Sequence, residues 1–279
     1  MYIQMGGDSL CTTCGEYPRH TEEFENLREI TLSLSCPEVA KIVMNTTEPI
    51  TFVTKEDETD ECYEEFDYFL FSELEDVREE MIRIIQDRNV NIRDRIDKIL
   101  QISVSVQRHY DAGSLISWNE FEESDRVCVE NEYELFERLF LFLFEEFEIL
   151  YPQWAEVLVE SRLFLFGEGK KVFEQNKEEF ETWWNTSNLT PLDIVLEQLV
   201  VYFISVYLLG AVYDENILGK VDACIGHTIE IYLLLLGRWL KHGELAMDDV
   251  IEVVYRYSRE IEHSDENLER AEMLNWFAR

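Results

Sequence analysis

The stretch Pro191-Leu-Asp-Ile-Val-Leu-Glu-Gln-Leu-Val-Val-Tyr-Phe-Ile-Ser-Val-Tyr207 decides the fold class of this sequence. Its apolar residues recur at three- and four-residue steps, the period of a helix with one buried face: Leu196, Val200, Phe203 and Tyr207. The longest apolar runs of the chain are Leu199–Val212, relieved by Ser205, and Ile231–Leu236. Because both are shorter than the roughly 20 residues that span a bilayer, we expect buried core helices here.

The helical period extends through most of the chain. It predicts helices from Tyr63, over Asn91–Tyr110 and Tyr133–Leu150, from Pro152, over Lys171–Trp184, from Pro191, over Asn216–Lys241 and over Met247–Phe277 with a bend near Ser264. Only 11 Gly and 5 Pro occur among 279 residues, which argues against the turn-rich sequences of sandwiches and barrels. We therefore predict an all-α fold, an irregular multi-helix bundle.

The N-terminal segment differs from the rest, because it holds three of the six cysteines and no long helical pattern. We divide the chain into residues 1–55, a small Cys-bearing segment that contributes to a metal or cluster site, and residues 56–279, the helical body. Within the segment, Ser35-Cys-Pro-Glu38 predicts a helix start with Ser35 as the cap and Glu38 completing a capping box. Pro49–Thr54 predicts a short strand or an extended connector.

The three cysteines have the spacing of part of a metal site. Cys11 and Cys14 form a Cys-x-x-Cys pair, whose two-residue spacer lets both thiols point at one metal. Cys36 opens the predicted helix, where backbone N–H groups stabilise a thiolate ligand. Because zinc sites and iron–sulfur clusters usually take four ligands, the pattern predicts a site that is completed elsewhere. The alternative is that Cys36 packs as a small hydrophobe and the pair is incidental.

The remaining candidate ligands favour structural roles. Cys62 is a candidate fourth ligand, but it opens an acidic amphipathic helix, which favours core burial; Cys128 and Cys224 lie in apolar helical contexts that predict the same. Glu260-Ile-Glu-His263 resembles the Glu-x-x-His step of di-iron bundles, but the sequence has no second copy; we expect a surface cap or salt bridge. His227, beside a glycine in an apolar helix, is expected to be a hydrogen-bonded core residue.

Charge and motifs restrict the class of partner. The formal net charge of −35 disfavours nucleic acid and anionic membranes, since phosphates are repelled, and favours a cationic partner. The absence of a Gly-x-Gly-x-x-Gly motif argues against a Rossmann-type nucleotide or S-adenosylmethionine site. Six cysteines are too few for a disulfide scaffold at this length, and a Cys-x-x-Cys pair is typical of a reducing compartment. We therefore predict a cytoplasmic protein.

Several segments resemble the bacterial flagellin lysine-N-methylases. They are Leu10-Cys-Thr-Thr-Cys-Gly-Glu-Tyr-Pro-Arg19, Arg28-Glu-Ile-Thr-Leu-Ser-Leu-Ser-Cys-Pro-Glu38, Glu197-Gln-Leu-Val-Val-Tyr-Phe203 and Tyr257-Ser-Arg-Glu-Ile-Glu-His-Ser-Asp-Glu-Asn-Leu268. The resemblance implies an enzyme that methylates lysine ε-amines of flagellin, using S-adenosylmethionine and a 4Fe-4S cluster. It also implies that Cys11, Cys14 and Cys36 are cluster ligands. No catalytic residue follows from it.

Members of that family carry a further cysteine-rich segment upstream, which this sequence lacks. The missing segment leaves three alternatives for this chain: a mis-started gene model, a truncated fragment or a degenerate paralogue. It leaves the activity of the chain alone open, with a cluster that is incomplete, unstable or completed by another chain. The residues by themselves leave a second hypothesis open. It is a non-catalytic all-α interaction protein that binds a basic partner through its acidic surface, with the cysteines in a structural zinc clip or without metal.

Overall fold

The computed structural model describes residues 17–24, 27–56, 67–114, 131–273 and 276–277. The predicted all-α multi-helix fold is confirmed, with one small sheet near the N-terminus. The elements are β1 (Arg19–Phe24), β2 (Leu27–Leu32), α1 (Pro37–Asn45), α2 (Tyr68–Ile85), α3 (Ile92–Asp111), α4 (Glu132–Glu145), α5 (Pro152–Phe166), α6 (Lys170–Thr186), α7 (Leu192–Tyr207), α8 (Ala211–Asp214), α9 (Ile217–His242), α10 (Met247–Glu262) and α11 (Asp265–Glu272).

Helix α9 forms the centre of the bundle. It contacts α3, α4, α5, α6, α7, α10 and α11. Two stretches, Leu192–Asp214 and Ile217–His242, are long and apolar enough to cross a membrane, and 72% and 78% of their most apolar windows are buried inside the protein. Their hydrophobic surface therefore contacts neighbouring helices, which agrees with the predicted core role.

Helix boundaries follow local capping. Helix α2 begins at Tyr68 because Oδ1 of Asp67 accepts the backbone N–H of Phe69 at 2.9 Å; the part of the predicted helix before Asp67 lies outside the described residues. The predicted helix over Met247–Phe277 is divided near the expected bend. Oγ of Ser264 accepts the backbone N–H of Asn267 at 3.2 Å and starts α11.

The β-hairpin was not predicted from the sequence. Strands β1 and β2 are antiparallel, with Arg19 opposite Leu32 and Phe24 opposite Leu27. Arg78 of α2 anchors the hairpin, since its Nη1 donates to Glu29 Oε2 at 2.7 Å. Residues 49–54, for which a short strand or an extended connector was predicted, form an irregular connector. The division of the chain at residue 55 stays a prediction.

A buried ion pair joins α7 to α2 and α3. Glu197 is fully buried on α7, and its Oε2 lies 2.9 Å from Nη1 of the buried Arg95. Arg88, at the turn between α2 and α3, donates from Nη2 to Glu197 Oε1 at 2.8 Å and from Nη1 to the Thr47 carbonyl at 2.7 Å. Arg88 therefore connects Glu197 to the chain that follows α1.

A buried carboxylate on α9 holds the end of the described chain. Asp222 is fully buried and accepts the backbone N–H groups of Trp276 and Phe277 through Oδ2, while its Oδ1 has no hydrogen-bond partner among the described residues. Burial raises the pKa of Asp222 from 3.8 to about 7, against the opposing effect of the two N–H groups and Arg138.

The pKa of Asp222 predicts a specific dependence of stability on pH. Because the folded-state pKa lies above the unfolded one, this side chain stabilises the fold fully below about pH 4 and loses that contribution as pH rises through about 7. The difference between the folded and unfolded pKa of Asp222 corresponds to at most about 4 kcal/mol of stability. Chemical unfolding between pH 4 and 8 should show a steeper decline for the parent protein than for Asp222→Asn. Parallel curves would contradict the assignment.

Candidate functional site

The structure places one of the three predicted cluster ligands. Cys36 is the N-cap residue of α1, partly exposed and not in a disulfide. Cys11 and Cys14 lie outside the described residues, as do Cys62 and Cys128. Cys224 is buried in the core as predicted, and burial raises the pKa of its thiol. In the described part of the chain, no group of three or more His, Cys, Asp or Glu residues could hold a metal.

The loop before Cys36 is a tight turn held by serine hydroxyls. Ser33 Oγ lies 2.7 Å from Ser35 Oγ and accepts the Ser35 N–H at 3.1 Å, while the Cys36 N–H donates to the Ser33 carbonyl at 3.2 Å. The prediction that Ser35 caps the helix is wrong, because Cys36 occupies that position and no side chain caps α1. The serine hydroxyls bond to each other and to α10 instead.

Glu262, the last residue of α10, accepts hydrogen bonds from three hydroxyl groups beside this turn. Tyr202 of α7 donates to Glu262 Oε2 at 2.7 Å, Ser33 donates to the same oxygen at 3.2 Å, and Ser258 donates to Oε1. The Tyr202 oxygen also accepts the backbone N–H of Leu34 at 3.1 Å. The segments with Ser33, Tyr202 and Glu262, each of which resembles the flagellin lysine-N-methylases, therefore meet at the Glu262 carboxylate.

Ser35 provides a second connection between the turn and α10. The Ser35 carbonyl accepts from Arg259 Nε at 2.9 Å, and its Oγ lies 3.1 Å from His263 Nε2. Tyr17, just before β1, places its hydroxyl oxygen 3.4 Å from the same Oγ. Together with the bonds to Glu262, these contacts fix the position of the backbone next to the Cys36 thiol.

Burial dominates the electrostatics of this cluster. It raises the pKa of Glu262, although the hydrogen bonds from Ser258, Tyr202 and Ser33 oppose the shift. It also raises the pKa of Tyr202 well above 10, and the neighbouring Glu262 carboxylate adds to that shift. Glu262 has no salt bridge to a Lys, Arg or His among the residues that the structure describes.

Glu260 points away from this cluster. It is 2% exposed, and its carboxylate accepts the backbone N–H groups of Leu150 at 2.8 Å and Tyr151 at 3.1 Å, just before α5. The expected surface position is therefore wrong for Glu260, whereas His263 lies on the surface at the end of α10. The two side chains have different partners and do not form a shared metal site.

A second polar cluster lies deeper in the bundle. Tyr257 donates to Glu230 and lies 2.7 Å from Nδ1 of His227, so the core role predicted for His227 is confirmed. Burial raises the pKa values of Glu230 and Tyr257. All three side chains are at most 3% exposed, which leaves no path for a substrate to reach them.

A groove of about 220 Å³ opens between the start of α5 and α10. Its walls include the aromatic rings of Tyr151, Trp154 and Tyr255 and the cations Arg256 and Arg259. Arg259 stacks its guanidinium 4.8 Å from the centre of the Tyr255 ring while its Nε holds the Ser35 carbonyl. The groove is therefore connected to the turn before Cys36 through one side chain.

The sequence did not identify Ser33, Tyr202 or Ser258 as functional candidates. One signal in the sequence could have found Tyr202. It is a hydroxyl group inside an otherwise apolar helix, which indicates a hydrogen-bond partner because a buried polar group requires one. The identity of that partner could not be read from the pattern, because Ser33 and Glu262 are separated by 229 residues in the chain.

Comparison with protein families gives a match over most of the chain. The family described as FliB lysine N-methylase C-terminal domain matches residues 78–276. The match includes Tyr202, Ser258 and Glu262 and begins after Cys36. No curated protein and no solved structure matches the chain. The family match covers well over half of the chain, and the chain therefore belongs to the FliB lysine N-methylase family.

Proposed function

We propose that the protein transfers methyl groups from S-adenosylmethionine to lysine ε-amines of flagellin, with a 4Fe-4S cluster bound in part by Cys11, Cys14 and Cys36. The observation that carries the proposal is the convergence of the Cys36 turn with Tyr202 and Glu262, both of which lie within the matched family domain. The geometry thus joins a candidate ligand to the part of the chain that defines the family.

The position of Cys36 fits a cluster ligand. Its thiol is partly exposed, is free of a disulfide and lies at a helix start that no side chain caps, where backbone N–H groups favour thiolate and sulfide. Cys14 is three residues before Tyr17, a span of at most about 11 Å, and Tyr17 contacts Ser35. A bound cluster would supply iron able to accept an electron pair or an electron beside the turn.

The groove at Trp154 suits the methyl donor. Aromatic rings stack on an adenine, and an arginine pairs with a carboxylate, so Trp154, Tyr255 and Arg256 are the groups that we expect to contact the nucleoside and amino-acid parts. Arg256 pairs with Glu252 at 2.6 Å, and it would exchange this partner for the donor carboxylate. A donor in this groove would lie next to Arg259, which bonds to the carbonyl before Cys36.

The charge of the protein suits its proposed substrate. A net charge of −35 favours the approach of cationic lysine side chains. We place the reaction in the cytoplasm, where thiols such as that of Cys36 stay reduced. The remaining cluster ligands are to be sought outside the described residues or on another chain.

Metal analysis tests this proposal. After anaerobic reconstitution, the parent protein is expected to bind iron and sulfide and to transfer labelled methyl groups from S-adenosylmethionine to purified flagellin. Cys36→Ser should lose most of the iron, because one thiolate ligand is removed. Cys224→Ala is the matched control and should keep its iron, since this thiol is buried in the core. Zinc in place of iron, without methyl transfer, would favour the non-catalytic interaction protein.

A further inference from the structure

We infer that Glu262 receives the ammonium group of the substrate lysine and accepts its proton before methyl transfer. The inference rests on the proposed function for the identity of the substrate, and on the structure for the choice of residue. It assigns a role to a carboxylate for which neither residue spacing nor the family match supplies one.

The first argument is the set of partners around Glu262. A buried carboxylate is costly unless a cation or several hydrogen bonds compensate its charge. Glu197 has two arginines within 3 Å. In the described part of the protein, Glu262 instead has hydrogen bonds from neutral hydroxyls, those of Ser33, Tyr202, Ser258 and Tyr207, and no Lys or Arg partner. A lysine ammonium would supply the positive charge that this cluster lacks.

The second argument is access. Glu230 is also without a Lys or Arg partner among the described residues, but it is only 2% exposed and lies inside the bundle. Glu262 is partly exposed and lies at the end of α10, beside the turn that carries Cys36. Of the two residues, Glu262 has the larger surface in contact with solvent, and a lysine side chain would approach the carboxylate from there.

The third argument is chemical. Methyl transfer needs a neutral amine, so the ammonium must first lose a proton. In the proposed step, Glu262 takes that proton, the nitrogen lone pair forms an N–C bond to the methyl carbon, and the C–S bond of the sulfonium breaks. Its electron pair stays on sulfur, which leaves as a neutral thioether. Burial raises the pKa of Glu262 and so makes it a stronger base than an exposed carboxylate.

Titratable groups from each neighbouring element face Glu262. They are Tyr202 and Tyr207 of α7, His227 of α9, Tyr257 of α10 and His20 of β1. Burial raises the pKa of each of the three tyrosines well above 10, so they remain neutral donors at the pH of the reaction. The hydrogen bond to Glu22 is the main cause of the raised pKa of His20.

Binding tests the inference without turnover. A flagellin peptide with one lysine and the same peptide with norleucine in its place are titrated into the protein. The parent is expected to prefer the lysine peptide by about tenfold or more, as for a charge-assisted hydrogen bond. Glu262→Gln should lose this preference, and Glu266→Gln, which changes an acid that is 57% exposed on α11, should keep it. A parent without the preference, or Glu262→Gln with it intact, would overturn the inference.

Kinetics provide a second test that does not depend on the folding of Glu262→Gln. The kcat/KM of methyl transfer in the parent should fall on the acid side as Glu262 becomes protonated. Tyr202→Phe removes a hydrogen bond that lowers the pKa of Glu262, so the acid limb should move to higher pH. An unmoved limb would overturn the inference. A lysine preference without any methyl transfer would contradict the proposed function and leave the assignment of Glu262 in place.

Discussion

Replacement of Glu197 by alanine is expected to destabilise the protein by about 3–5 kcal/mol, the usual cost of removing one partner of a buried ion pair. Arg95 is only 3% exposed and would keep its charge without a carboxylate. Arg88 is one-third exposed and can turn toward water, so most of the cost arises from Arg95. The loss should be visible as a lower denaturant midpoint in chemical unfolding with an unchanged slope.

Two further variants test whether the loss of stability in Glu197→Ala arises from the buried ion pair. Glu174→Ala removes an acid that is 59% exposed, 3.8 Å from Lys170, and should change the free energy of unfolding by less than about 0.5 kcal/mol. The double variant Glu197→Leu with Arg95→Met replaces both buried charges by apolar groups and should recover part of the loss. A cost below about 1 kcal/mol for Glu197→Ala would show that Arg95 has another source of compensation.

Phe180→Ala is the second large effect, with an expected loss of about 3–5 kcal/mol. Phe180 of α6 is fully buried, and its ring lies 5.4 Å from that of Trp184, 5.8 Å from Tyr232 and 5.6 Å from Trp239. Removing it takes away the contacts with Tyr232 and Trp239 of α9, and it leaves a cavity that the neighbouring rigid rings cannot close.

The measurement for Phe180 is thermal and chemical unfolding of matched variants. Phe180→Leu should lose clearly less than Phe180→Ala, because it retains most of the buried volume. Phe69→Ala is the surface control, since that ring is 83% exposed, and should change stability by about 0.5 kcal/mol or less. Equal losses in Phe180→Leu and Phe180→Ala would mean that the aromatic geometry, and not the cavity, determines the cost.

The helices could be predicted because their signal is local. The periods around Phe203 and Leu236 predicted α7 and α9, and Pro152 marked the first residue of α5. The hairpin over residues 19–32 was missed because short strands lack a comparable repeat and depend on contacts outside the segment. Its anchor is Arg78, 49 residues from Glu29 in the chain. Register and anchoring are therefore tertiary properties.

The candidate site shows the same division. The sequence by itself identified the turn before Cys36 and the segment that contains Glu262, and it predicted that Cys36 lies at a helix start. The predicted capping residue was wrong, because Cys36 occupies the cap position and the Ser35 hydroxyl bonds to Ser33 and to His263 just after α10. Local propensity cannot include a partner that is more than 200 residues away in the chain.

The sequence by itself determined the helical class, the acidic charge and the presence of thiols near the N-terminus, because composition and periodicity act within a few residues. Only the tertiary structure decided which carboxylate faces the Cys36 turn. Glu260 and Glu262 are two residues apart on one helix, yet Glu260 bonds to the backbone before α5 and Glu262 to Ser33 and Tyr202. The physical reason is that side chains two positions apart leave a helix on different sides, and packing determines what each side meets.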